Sequence, residues 1–227
     1  MKKSNKIVSI AIVGVIIFLG SYYLYNKSLE LNRHKYRSIL NEVLDAGYVF
    51  VLPNEYEGTT HEKTAILFHD CDFNLNGIPV FVGVERELDI KSAFYIRPNS
   101  QYFFTNIERF QALEMHGWEI GFHYDTLSKS NGDMSEAVFK FTEQLKLLRG
   151  YFNIFTVRPH GDKYNFSIYN RELFYQNTNL ETDAKIDDLT FNQTYTYIKD
   201  TNNKIVFPPE SDWETLIIMN FHSDWWK

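Results

Sequence analysis

Short apolar runs alternate with helix-periodic stretches over most of the chain. The run "TAILFH" (64–69) is unbroken and ends abruptly in polar residues, as a strand buried on both faces does. "VFVGVEREL" follows with helical spacing, and "KSAFYIRP" predicts a second strand. "TNIERFQALEMHG" predicts a helix with Thr105 as its cap and Gly117 as its stop. "WEIGFH" predicts a strand, "SEAVFKFTEQLKLLRG" a helix stopped at Gly150, and "IFTVRPH" and "TLIIMNFH" two more strands. Strand–helix–strand alternation of this kind predicts a parallel α/β fold. The stretch 181–209 is less regular and has room for short strands or loops.

Upstream of this domain, "NKSLELNRHKYRSILNEVLDAGY" places Leu29, Tyr36, Leu40, Val43 and Leu44 on one helical stripe that ends at Gly47. It predicts a stalk helix packed onto the domain. Before it, Ile7–Tyr25 runs 19 residues without a charge, preceded by Lys2, Lys3 and Lys6. At ~1.5 Å per residue such a run spans roughly the 30 Å of a bilayer core. The lysines predict a cytoplasmic N-terminus, and Tyr22, Tyr23 and Tyr25 suit an interfacial belt. A cleaved signal peptide would need a small-residue site, and here Gly20 and Ser21 are followed by tyrosines. The expected organisation is a basic stub at 1–6, a transmembrane anchor at 7–25, a juxtamembrane stalk at 26–45 and the main α/β domain at 46–227. That makes a single-pass membrane protein with its domain outside the cytoplasm.

Composition changes this picture little. The net charge of −6 offers no footprint for nucleic acid. The single cysteine, Cys71, excludes an intramolecular disulfide or redox pair.

Candidate chemistry collects where the strands end. Four separate runs deliver His or Asp there: His69, Asp70 and Asp72; His123 and Asp125; His160 and Asp162; His222 and Asp224. In a parallel sheet or barrel those ends share one face, where active sites are built. Histidines and carboxylates without paired cysteines suit a divalent metal such as Zn²⁺ or a harder ion. Such a metal polarises a carbonyl and acidifies water, while a spare carboxylate and a spare histidine serve as base and acid. A Cys71 nucleophile is disfavoured, because the flanking aspartates oppose a thiolate. A two-metal phosphoesterase would need more ligands and a phosphate-cradling loop.

The segments that carry these residues resemble the polysaccharide deacetylases of the NodB-homology group, carbohydrate esterase family 4, in a divergent form with H-D-x-D in place of T-F-D-D-G. The resemblance spans roughly 46–226 and rests on "FHDCDFN", "SAFYIRP", "HGWEIGFHYDTL", "VRPHG" and "IIMNFHSDWW". It implies a distorted (β/α) barrel, a divalent metal (Zn²⁺, with Co²⁺ or Ni²⁺ as alternatives) and an acetylated glycan as substrate. Carried over by position, it implies Asp70 as base, Asp72 and His123 as metal ligands and His222 as general acid. It also implies Arg158 shaping the groove, Trp225 walling the acetyl pocket and Asp183 standing for the fourth motif.

The second motif departs from the family's H-S-x-x-H, because Leu127 stands where a ligand His is expected. We take His160 as its replacement. The same departure keeps open a catalytically impaired glycan-binding module on this fold. Arg97 reads as a loop or packing residue, and Asp125 as either a partner of His123 or a turn former. His116 suits a helix C-terminus, and His34 and His61 read as exposed.

Overall fold

The protein is described by a computed structural model covering residues 2–57, 62–161, 170–171, 173, 185–186, 194–201 and 204–226, without the side chains of residues 2–16, 185–186 and 201. Among the described residues a long first helix, α1 (Lys2–Asp45), precedes a nine-stranded sheet. Its strands are β1 (Val49–Val51), β2 (Thr64–Cys71), β3 (Ala93–Ile96), β4 (Glu119–Tyr124), β5 (Thr156–Pro159), β6 (Lys185–Ile186), β7 (Thr196–Thr201), β8 (Lys204–Val206) and β9 (Leu216–His222). The other helices are α2 (Ile78–Glu87), α3 (Ile107–Met115), α4 (Thr126–Lys129) and α5 (Met134–Arg149).

Strand order is β6-β5-β4-β3-β2-β9-β7-β8, with β1 added beside the start of β2. Every pairing is parallel except the β7–β8 hairpin. The strand–helix pattern therefore gives a parallel-dominated α/β sheet. No pairing joins β6 to β8 among the described residues. Among its described residues the irregular stretch holds three short strands, of which β7 pairs with β9.

Strand parity sorts the side chains. Ala65, Leu67 and Cys71 of β2 join Phe94, Ile120, Phe122, Ile217, Met219 and Phe221 in the large core under the helices. Ile66 and Phe68 face the other way, into a smaller cluster with Ala93, Tyr95, Leu216 and Ile218. Asp70 and Asp72 continue that second face toward the C-terminal strand ends, because a strand's side chains alternate with period two. Gly121 stands opposite Tyr95 in the β3–β4 register. A Cβ there would overlap the Tyr95 ring, so glycine makes the room that ring fills.

The stalk stripe packs as expected. Tyr36, Leu40 and Val43 are buried, with Leu29 and Leu44 against them, and α1 lies on α2. Gly47 ends the segment at φ +86°, a left-handed conformation that glycine adopts without strain. The α1 interface includes the carboxylate of Glu85, fully buried on α2. It is met by Tyr36 Oη (2.8 Å), His69 Nε2 (2.7 Å), Ser92 Oγ (2.7 Å) and Trp118 Nε1 (2.6 Å). Four partners make a buried carboxylate tolerable. Burial pushes Glu85 upward, and the His69 contact with the hydrogen bonds outweighs it, leaving the pKa lowered.

The helix α3 begins one residue later than expected, with Asn106 as cap, while the Thr105 hydroxyl donates to the Tyr102 carbonyl. His116 closes that helix with Nδ1 2.7 Å from the Ala112 carbonyl, and His34 is exposed. His61, Asp162 and Asp183 lie outside the described residues. Among the described residues no helix is long and apolar enough to cross a membrane. The side chains of residues 7–16, the first part of the expected anchor, lie outside them.

Candidate active site

Strand ends β2, β4, β5 and β9 deliver their polar residues to one cleft of about 300 Å³. It is lined by Asp70, Asp72, His123, His160, His222 and Trp225, with Phe73, Gly161 and Asp224 completing its walls. Adjacency follows from register: Asp70 lies opposite His222 across β2–β9, and His123 opposite Arg158 across β4–β5.

Asp72, His123 and His160 form one group whose ligand atoms lie within 4.8 Å of one another. Oδ1 of Asp72 is 3.3 Å from Nε2 of His123 and 3.2 Å from Nε2 of His160. The other ring nitrogen of His123 is 3.2 Å from the Arg158 carbonyl, which can only accept. That partner assigns the proton to Nδ1 in the neutral ring and leaves Nε2 as a lone pair. Nε2 of His160 faces the Arg97 guanidinium, which can only donate, so it too presents a lone pair. Asp72 Oδ1 is buried and makes no hydrogen bond among the described residues. Three acceptors thus converge with no proton of their own between them, beside the Arg97 guanidinium, and a cation satisfies such an arrangement. Two imidazoles and a carboxylate fit a divalent metal of the zinc type. Burial raises the Asp72 pKa, and proton-bearing imidazoles at His123 and His160 lower it by more, as a cation in the same position would.

Asp70 is 4% exposed and separately held. Arg158 Nε lies 3.2 Å from its Oδ1, and Asn220 Nδ2 donates to its Oδ2 at 2.9 Å. Burial pushes its pKa up, but Arg158, His123 and His222 together bring it below the ordinary value. Arg158 itself stacks 4.0 Å from the Phe68 ring centroid and donates to Tyr197 Oη at 3.1 Å. It is therefore a partner of Asp70 as well as a wall of the groove.

His222 carries the opposite charge state. Its Nδ1 is 2.7 Å from Oδ1 of Asp200, and its backbone N–H also donates to that carboxylate. Burial lowers its pKa, yet the Asp200 hydrogen bond, followed by the charges of Asp70, Asp200 and Asp72, pushes it up to about 9. Nε2 then points into the cleft, 3.7 Å from Asp70. Trp225 stacks on this ring at 4.4 Å and 31°. Trp226 Nε1 donates to Asp200 at 2.9 Å, fixing the carboxylate from behind.

Several residues fall elsewhere than expected. Arg97 lies in the loop just after β3, as expected, but it is buried beside the ligand group, paired with Asp125 and 3.2 Å from His160. Asp125 therefore partners Arg97 and Asn99 rather than His123. Leu127 is packed in the core. His69 and Cys71 face the helix side, and burial pushes the Cys71 thiol well above its ordinary value, with Asp72 and Asp70 adding to the rise. Asp224 accepts from the Phe73 and Asn74 amides, tying the end of β9 to the loop after β2. The sequence reading missed Asp200 and Asn220. Asn220 carried a usable signal, since it precedes His222 by two and so shares its face.

No protein-family model matches the chain, and no curated protein matches it. Among solved structures it is similar to a family 4 carbohydrate esterase from Bacillus anthracis, at 15% identity and a TM-score of 0.44, over 82% of this chain and 77% of that one. It is also similar to the Xyl-CE4 domain of a multidomain xylanase from the hindgut metagenome of Trinervitermes trinervoides, at 15% identity and a TM-score of 0.46, over 71% and 74%. Neither likeness is close enough to carry an activity, which has to stand on the residues of the cleft.

Proposed function

We propose that the protein is a metal-dependent hydrolase that removes N-acetyl (or O-acetyl) groups from a cell-surface glycan. One observation carries this reading. A carboxylate held by Arg158 and Asn220, an imidazole held by Asp200 and a three-atom ligand set face one cleft.

Asp72, His123 and His160 would hold the metal, Zn²⁺ by preference. When bound it supplies Lewis-acid polarisation of the acetyl carbonyl and charge stabilisation at its oxygen. Asp70, kept ionised and aimed by Arg158 and Asn220, takes the proton of the attacking water. His222, kept protonated by Asp200, gives its Nε2 proton to the leaving amine or alkoxide. An acid and a base whose pKa values are driven apart by their surroundings can both be in the working form at neutral pH. Trp225, stacked on His222, holds that ring and walls the space for a small acyl group.

The same placements support the enzyme over a glycan-binding module, because the ligand absent at Leu127 has a counterpart in His160. The apolar run 7–25 with its preceding lysines supports a single-pass location at the cell membrane, with the domain outside the cytoplasm.

The test is acetate release from N-acetylated and O-acetylated sugar oligomers by the Zn²⁺-loaded full chain. We expect release that chelation abolishes and Zn²⁺ restores. Metal binding without acetate release from either class would overturn the proposal.

A further inference from the structure

We infer that Arg97 is an internal counter-cation that competes with the metal for His160 and Asp72, and that Asp125 sets the strength of that competition. This rests on the reading of Asp72, His123 and His160 as the ligand set.

Arg97 follows directly on the last residue of β3 and shares the inward face with Tyr95, and it is only 5% exposed. Nη1 lies 3.2 Å from Nε2 of His160 and 3.9 Å from Oδ1 of Asp72, two of the three ligand atoms. A guanidinium is always protonated and has donors only. Its contact with Nε2 therefore uses the lone pair that a metal would need, and one lone pair cannot serve both. Nη2 is bound to Asp125, which is 1% exposed and is also held by Asn99 Nδ2 at 3.0 Å. The carboxylate compensates the arginine's charge and keeps it beside the ligands.

Charge then predicts opposite effects at the two ends of the pair. Removing the cation while keeping its bulk, as in Arg97→Met, frees the His160 nitrogen and removes repulsion against a dication. Removing the anion, as in Asp125→Asn, takes away a carboxylate that compensates the cation beside the site. A purely structural Arg97–Asp125 clamp that orients His160 predicts something else: both substitutions would weaken metal binding together.

The experiment is a competition titration of the full chain, stripped of metal, with Zn²⁺ and a chromophoric chelator. Co²⁺ absorption follows the ligand geometry, and near-ultraviolet circular dichroism confirms folding. We expect Arg97→Met to bind at least about tenfold more tightly and Asp125→Asn about tenfold more weakly than the unaltered chain. Arg97→Gln, neutral but polar, is the second variant and is expected to follow Arg97→Met. Should both neutral variants bind no more tightly, or should neither fold, the inference is overturned. Failure of the unaltered chain to bind Zn²⁺, or equal binding by His123→Ala, would instead overturn the ligand set itself.

Discussion

The sharpest consequence of the site concerns Asp200, which does not itself line the cleft yet sets the charge of His222. The perturbation is Asp200→Asn. In the intact protein His222 is pushed up to about 9, against an ordinary value near 6.5. The difference corresponds to about 3 kcal/mol favouring the charged ring. The Asp200 hydrogen bond is the largest contribution raising it, and burial opposes. Without that carboxylate the burial penalty remains, and only Asp70 and Asp72 still favour the cation. We expect the ring to titrate at about 7 or below. At pH 8 the protonated fraction would fall from about 90% to about 10%. A reaction that needs this proton would slow about tenfold there and recover near pH 6. The assays are a ring-resolved NMR titration of His222 and a kcat–pH profile with an acetylated oligomer. The variant also sets an amide against donors from Trp226 and the His222 backbone, costing roughly 1–3 kcal/mol, so it should be studied well below its Tm. The sign for stability follows from the same shift. A folded pKa above the unfolded one stabilises fully below about pH 6.5, and that contribution is lost as pH rises through about 9. A variant in which His222 still titrates near 9 would refute the assignment of Asp200 as its cause.

Further expectations separate chemistry from scaffold. Asp70→Asn should keep the metal and lose about 10²–10⁴-fold in rate, whereas Asp72→Ala should lose metal and activity together. Metal content by atomic absorption alongside kcat distinguishes them, and metal-free Asp70→Asn would overturn the division of roles. Gly121→Ala should destabilise by about 2 kcal/mol or more, since its methyl overlaps the Tyr95 ring; an unchanged urea midpoint would refute that account. Glu85→Leu removes the acceptor for Tyr36, Ser92 and Trp118 and should cost roughly 3 kcal/mol or more by denaturant unfolding. A cost below about 1 kcal/mol would show that the buried network contributes little.

Much was legible in the sequence because it depends on periodicity along the chain. Apolar runs, helix stripes and glycine stops located β2, α2, β3, α3, β4, α5, β5 and β9. A period of two placed Asp70 with Asp72 and set His69 with Cys71 on the opposite side. The polar clusters at strand ends marked the face of the sheet that carries the cleft, because parallel strands all point their C-termini the same way.

What the sequence left open depends on strand order and register, which are set by packing between distant segments. Placing β9 beside β2 brings His222 and Asn220 to Asp70, about 150 residues away in sequence. Placing β7 beside β9 brings Asp200, from a stretch with no clear periodicity, to the ring of His222. Arg97 lies in the loop after β3 as expected, but its partners were not legible because a lone arginine after a strand has no local pattern. Only the close approach of β3, β4 and β5 buries it among Asp125, His160 and Asp72. Chain-local alternation determined which side chains face inward. Tertiary contact alone decided which of them are charged and which atoms they meet, because charge state follows from burial and from partners that the linear order does not contain.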